Sequence, residues 1–150
     1  MRYAKPIRLA PAVYANPDNT FHVIVRTHPE TGKLAQHVRS AVWQSLMKEI
    51  DSPQVSIVAA VLMPDHVHLL VRPLSLDLVS WVGRWKSLST RAAWSVGHHG
   101  TIWQRRFYDR GLRGLEEFEV AFEYVMRNPS AAGLVDDDAS WPHRWSREFE

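Results

Sequence analysis

The chain has no cysteine, which removes disulfide frameworks, thiol nucleophiles and the usual thiolate zinc sites together. It also lacks a long apolar run. The longest, Val55 to Met63, is interrupted by Ser56 and falls far short of the roughly 20 residues a membrane helix needs. The opening MRYAKPIRLAPAVY has no continuous apolar stretch of the signal-peptide kind, so a cytoplasmic protein with no membrane partner is expected. Repeats, low-complexity tracts and Gly/Ser linkers are missing too, and 150 residues suit one sizeable core rather than two. The expectation is one domain over residues 1–150, with a core at about 21–135 and a tail at 136–150. Hydrophobic residues at 45 % and charged residues at 23 % are the proportions of a folded globular chain, not a disordered one.

What is present is an uneven charge distribution. The net charge is +2, but residues 1–83 carry +2, residues 84–113 carry +6 and residues 114–150 carry −6. The basic stretch holds Arg84, Lys86, Arg91, Arg105, Arg106, Arg110 and Arg113 against Asp109 alone. Trp85, Trp94, Trp103, Phe107 and Tyr108 are interleaved with those cations. Cations mixed with aromatic rings suit a polyanion with stackable bases, and a solvated Arg-rich surface is the plainer alternative.

Hydrophobic periodicity orders the chain. FHVIVRT, Phe21 to Thr27, reads as a strand, and a helical stripe runs through Val38, Val42, Leu46 and Ile50 within Leu34 to Ile50. Val55 to Leu62 and His66 to Arg72 read as strands joined by a tight Met63-Pro64-Asp65 turn. Asp77 to about Val96 is a helix capped by Asp77, with Leu78, Trp81, Val82, Trp85, Leu88 and Ala92 as its apolar stripe. Thr101 to Leu112 is expected to be extended, and Leu115 to Asn128 a third helix stopped by Pro129. The order strand, helix, strand, strand, helix, strand, helix predicts an α+β, ferredoxin-like (RRM-like) fold. Its antiparallel sheet would have helices packed on one face, plus an extra C-terminal helix.

The densest local signal is Pro64-Asp65-His66-Val67-His68-Leu69-Leu70-Val71. Alternation puts His66, His68 and Leu70 on one face and Val67, Leu69 and Val71 on the core face. Two imidazoles two residues apart on a strand can share a metal ion, or can simply be two exposed histidines. On the third helix the apolar stripe Leu115, Phe118, Phe122 and Val125 leaves Tyr124 about 140° from its centre at about 100° per residue. Asn128 lies one turn beyond Tyr124 on nearly the same face, and its carboxamide oxygen is a possible ligand. An ordinary surface tyrosine beside an Asn-Pro helix stop is the alternative.

LMPDHVHLLV, then WQRRFYDR, then EEFEVAFEYVMRNPSAAGLV together resemble the single-tyrosine HUH transposases, in particular the REP-associated tyrosine transposase branch. The likeness runs from about Phe21 to Trp145, with the motifs in order, although the closing WPHRWSREF matches only in part. The resemblance implies that His66 and His68 bind a divalent ion, Mg²⁺ or Mn²⁺, with Asn128 as third ligand. It implies Tyr124 as a nucleophile on DNA that keeps the 5′-phosphate and frees a 3′-OH. Single-stranded or hairpin DNA is the implied partner, and relatives of this kind work as helix-exchanging dimers or, in the REP-associated branch, as monomers.

Lys86, Arg91, Arg105, Arg106 and Arg110 are the expected phosphate contacts, and Trp103 the expected stacking platform for a base. Tyr108 is the rival nucleophile, whereas Tyr3 and Tyr14 carry no constellation; His98-His99 and Asp136 to Asp138 read as exposed turns. Two other functions compete. A two-histidine phosphoesterase needs two separated His-x-Ser/Thr motifs, which this chain does not supply. A non-catalytic, domesticated hairpin-DNA-binding protein would have no need of His66, His68, Tyr124 and Asn128 together.

Overall fold

A computed structural model describes residues 8–147 of the protein. The elements are α1 (Pro11–Ala15), β1 (Thr20–Arg26), α2 (Gln36–Met47), β2 (Val55–Leu62) and β3 (His66–Pro73). They continue with α3 (Leu78–Ser95), β4 (Tyr108–Leu112), α4 (Gly114–Met126), α5 (Asn128–Ala131) and β5 (Arg144–Ser146). The strands form one antiparallel sheet in the order β4-β1-β3-β2-β5. Its first four strands have the ferredoxin-like order expected from the sequence. Tyr3 lies outside the described residues.

The two central strands, β1 and β3, put Val23, Val25, Val67, Leu69 and Val71 on one face, beneath α2 and α3. Trp81, Trp85 and Trp103 fill that layer, with ring centroids 6.4 Å and 5.3 Å apart along the series. Each such aromatic pair contributes about 0.5–1.5 kcal/mol beyond its buried area. Buried Glu49 anchors the layer by accepting from the Trp81 indole Nε1 at 2.9 Å while pairing with Arg84. The α3 N-terminus is closed by Asp77, whose carboxylate accepts from the Ser80 N–H at 2.9 Å. At the other end Gly97, at φ 99°, supplies the left-handed residue that ends the helix.

Strand β2 is apolar on both sides for a structural reason. A register irregularity between Ile57 and Ala59 breaks its alternation. Ile57, Ala60 and Leu62 therefore face α2 and α3, while Val58, Ala59, Val61 and Met63 face α4. Helix α4 lies on the face opposite α2 and α3, over β2 and β3, and buries Ala121, Val125 and Met126 there. The second face of the sheet is thus half-covered rather than open.

Several expectations change. The stripe predicted on the third helix includes Leu115, which is instead 70 % exposed. That helix also ends at Met126, and Asn128 opens the short α5 instead of closing α4. Only Tyr108 to Leu112 of the segment expected to be extended is strand, joined upstream by a lone bridge between Thr27 and Trp103. The closing residues return as β5 along β2, where Arg147 donates to the carbonyls of Ile57 and Ile50. The acidic turn is not idle, since Asp138 accepts from the Ser130 N–H at 2.7 Å at the start of α5.

Candidate active site

Cross-strand register assembles the site on the α4 face. In β1, alternation places His22, Ile24 and Arg26 on that face, and they pair with Leu70, His68 and His66 of β3. Tyr108 and Arg110 of β4 join them opposite Ile24 and His22. Three histidines are therefore neighbours: the His66 and His68 ring centroids are 4.9 Å apart, and those of His22 and His68 are 5.3 Å apart.

Helix α4 carries Tyr124 over this cluster. Gly114, at φ 72°, makes the sharp turn from β4 into the helix that a side-chain-bearing residue would resist. The Arg110–Glu117 ion pair at 3.2 Å then ties the helix back to β4. At the far end of α4, Arg144 Nε donates to the Met126 carbonyl at 2.9 Å, satisfying a helix-terminal acceptor. Between these ties, the Tyr124 ring lies edge-on to His68 at 5.6 Å and to His22 at 6.1 Å, with 39 % of the residue exposed. A groove of about 450 Å³ runs from Tyr124 between α4 and β4, past His22, Tyr108, Arg110 and Arg113.

Each of the two β3 histidines is held through its Nδ1. His66 Nδ1 meets the Asp65 carboxylate at 2.7 Å, and His68 Nδ1 meets His22 Nε2 at 3.0 Å. His68 is fully buried, yet its Nε2 has no hydrogen-bond partner. Burial, aided by Arg110, lowers His22 to a pKa of about 4. Burial also takes His68 well below the ordinary histidine value, with His66, His22 and Arg26 adding to it. His66 is lowered by burial against the opposing pull of Asp65. In each ring burial favours the neutral form, the state in which imidazole nitrogen is a metal ligand.

An orphaned, buried imidazole nitrogen beside a carboxylate-oriented imidazole fits a divalent ion. Among the described residues, no three His, Asp or Glu side chains converge as a metal cluster. Asn128 is the third ligand expected from the resemblance. It is half-buried at the first position of α5, and its carboxamide has no hydrogen-bond partner among the described residues.

The expected DNA contacts do not form one patch. Trp103 is 5 % exposed and donates its indole N–H to Ser89 Oγ at 2.8 Å. It is a core residue, not a stacking platform, because its bridge to Thr27 turns the ring under α3. Lys86 spends its ammonium on the carbonyls of Gln104 and Arg105, at 2.6 Å and 3.0 Å, fastening that loop to α3. Arg91 is exposed on α3, in the layer on the opposite side of the sheet from Tyr124. Arg105 and Arg106 are exposed beside the end of β1, where Gln104 N–H donates to the Arg26 carbonyl. Arg110 faces the groove. Sequence reading missed His22 and Arg26, although the alternation of FHVIVRT already set them on the face of Ile24.

A half-exposed phenol stands over paired imidazoles on an antiparallel α+β sheet, and comparison with known proteins places that fold in a transposase family. The family model described as transposase IS200-like matches residues 16–128, and the chain belongs to that family. It is 29 % identical over 85 residues to the REP-associated tyrosine transposase of Escherichia coli (strain K12). That match spans 56 % of this chain and 50 % of the relative, so the chain covers about half the length of the curated relative it matches. The fold is that of a REP-associated tyrosine transposase solved bound to a REP hairpin. The TM-score is 0.71 at 20 % identity, over 95 % of this chain and 82 % of that one. A Deinococcus radiodurans protein assigned as a transposase matches at a TM-score of 0.53 and 20 % identity, over 85 % of this chain and 97 % of its own.

Proposed function

We propose that the protein nicks single-stranded or hairpin DNA and rejoins strands through a covalent tyrosine ester, in a reaction dependent on a divalent metal. The observation that carries the reading is the placement of the Tyr124 ring 5.6 Å from His68, whose buried Nε2 is otherwise unpartnered.

Tyr124 Oη attacks phosphorus in line with the bond to the 3′ oxygen. The P–O3′ bond breaks as the O–P bond forms, the phenolic proton is lost, and the departing 3′ oxygen gains one. The products are a 5′-phosphotyrosine and a 3′-OH, with the ester's energy kept for the reverse step, so strand transfer needs no nucleotide triphosphate. His66 Nε2, His68 Nε2 and the Asn128 carboxamide would hold Mg²⁺ or Mn²⁺, both suited to a mixed nitrogen and oxygen set that leaves positions open. When bound, such an ion neutralises charge developing on the non-bridging phosphate oxygens. Arg110, which lines the groove, would hold the flanking phosphates, and exposed Arg105 and Arg106 would guide the strand past the end of β1.

Hairpin DNA carrying a single-stranded foot, labelled at its 5′ end or its 3′ end and incubated with Mn²⁺, tests the reading. The 3′-labelled product is expected to migrate with the protein in denaturing gels and the 5′-labelled product to be released. Tyr124→Phe should give neither. Cleavage without any protein-linked label would contradict the proposal, and binding without cleavage in every metal would favour a hairpin-binding role.

A further inference from the structure

The ligand histidines of the proposed metal site differ in what stands behind them. His66 has a carboxylate, Asp65 Oδ1, 2.7 Å from its Nδ1. A carboxylate can only accept, so His66 carries its proton on Nδ1 and keeps Nε2 as a lone pair. Among the described residues, His68 is hydrogen-bonded to no carboxylate. The atom facing its Nδ1 is Nε2 of His22, at 3.0 Å and buried at 8 % exposure. Two imidazole nitrogens 3.0 Å apart meet through one proton, and its position decides what His68 presents to the site.

If His22 donates, the remaining proton of His68 sits on Nε2, pointing into a buried place where nothing accepts it. If His68 donates from Nδ1, its Nε2 is a bare lone pair beside the lone pair of His66. We infer that His22 is a positioning residue that accepts a hydrogen bond from His68 Nδ1, doing for His68 what Asp65 does for His66 and thereby aiming both Nε2 lone pairs at one ion. The near-parallel packing of the two rings, with an interplanar angle of 24°, holds His68 in that orientation. His22 belongs to β1, so the inner strand pairing of the sheet itself fixes the geometry of one ligand. The inference rests on the metal-site reading above.

Two measurements on the full chain test it. Long-range ¹H–¹⁵N correlation spectra of the metal-free protein should show His68 protonated on Nδ1 and bare on Nε2. Titration calorimetry with Mn²⁺ should show about a 10–100-fold weaker affinity for His22→Phe, which keeps a ring but accepts nothing. His22→Gln, whose carboxamide oxygen can accept, should recover to within a few-fold of the parent. A His68 ring protonated on Nε2, or a folded His22→Phe variant with parental Mn²⁺ affinity, would overturn the inference. Should His22→Phe fail to fold, the tautomer of the parent protein still decides the matter. A parent that takes up no Mn²⁺ would defeat the functional reading, while the tautomer would continue to judge the role of His22.

Discussion

His68 is the residue in which structure and chemistry are most tightly joined. It is fully buried, lies between His22 and His66, and is the histidine closest in ring distance to Tyr124. On the proposed function, replacing it should separate cleavage from binding, because that reading assigns DNA affinity to exposed arginines elsewhere. His68→Ala is expected to lose cleavage by a hundredfold or more while hairpin binding, read by fluorescence anisotropy in EDTA, changes by less than about threefold. Equal loss of both activities would mean that the histidine face and the DNA-holding surface are one. Reading alternation along β3 was enough to set His66 and His68 on the same face. The role of His22 was hidden because it depends on which strand lies beside β3 and in what register, and neither is written in a single strand's pattern.

At the scale of elements, the best-read segments were those whose sequence carries its own terminators. The bounds of β2 and the start of β3 matched because Pro53 and the Met63-Pro64-Asp65 turn enclose them, and β3 ran one residue further, to Pro73. Helix α3 began where Asp77 could cap it. That cap has a measurable worth: Asp77→Ala should lower unfolding free energy by about 1 kcal/mol in urea denaturation, without altering cleavage. No loss would show that water replaces the carboxylate at the Ser80 N–H. By contrast, β5 and the early end of α4 were illegible, since both depend on tertiary partners. The strand forms against β2, and α4 ends where Arg144 from the chain's tail accepts the role of satisfying Met126. The Trp103 expectation failed for the same reason: an aromatic ring in a basic stretch looks the same whether it faces solvent or Ser89.

For the whole molecule, charge and burial give two predictions. Arg105 and Arg106, exposed at the edge of the sheet, should contribute salt-dependent phosphate contacts. Replacing both by alanine should reduce the slope of log affinity against log salt by about 1.4, the value for two contacts on a single strand. An unchanged slope would remove them from the DNA path. The second concerns acid. His22 and His143 are both lowered to about 4, His22 by burial and Arg110, His143 by burial and Arg39, and His66 and His68 are lowered as well. The unfolded chain takes up protons near pH 6.5, where the folded chain does not, so it binds more protons between about 6.5 and 4. The stabilisation is therefore complete above pH 6.5 and is lost as pH falls through that window towards 4. Melting temperature measured from pH 7.5 to 4 should fall over that interval, and less steeply in His143→Phe. A flat profile would contradict the burial of these neutral rings.

The account's central claim is that Tyr124, not Tyr108, enters the DNA ester. Both rings lie near His22, at 6.1 Å, and the Tyr124 ring also lies 5.6 Å from that of His68. Proteolysis and mass spectrometry of the protein–DNA adduct formed with Mn²⁺ distinguishes them directly. The account predicts a nucleotide mass on the α4 peptide containing Tyr124. A modification on the β4 peptide containing Tyr108, or an adduct that persists in Tyr124→Phe, would contradict it.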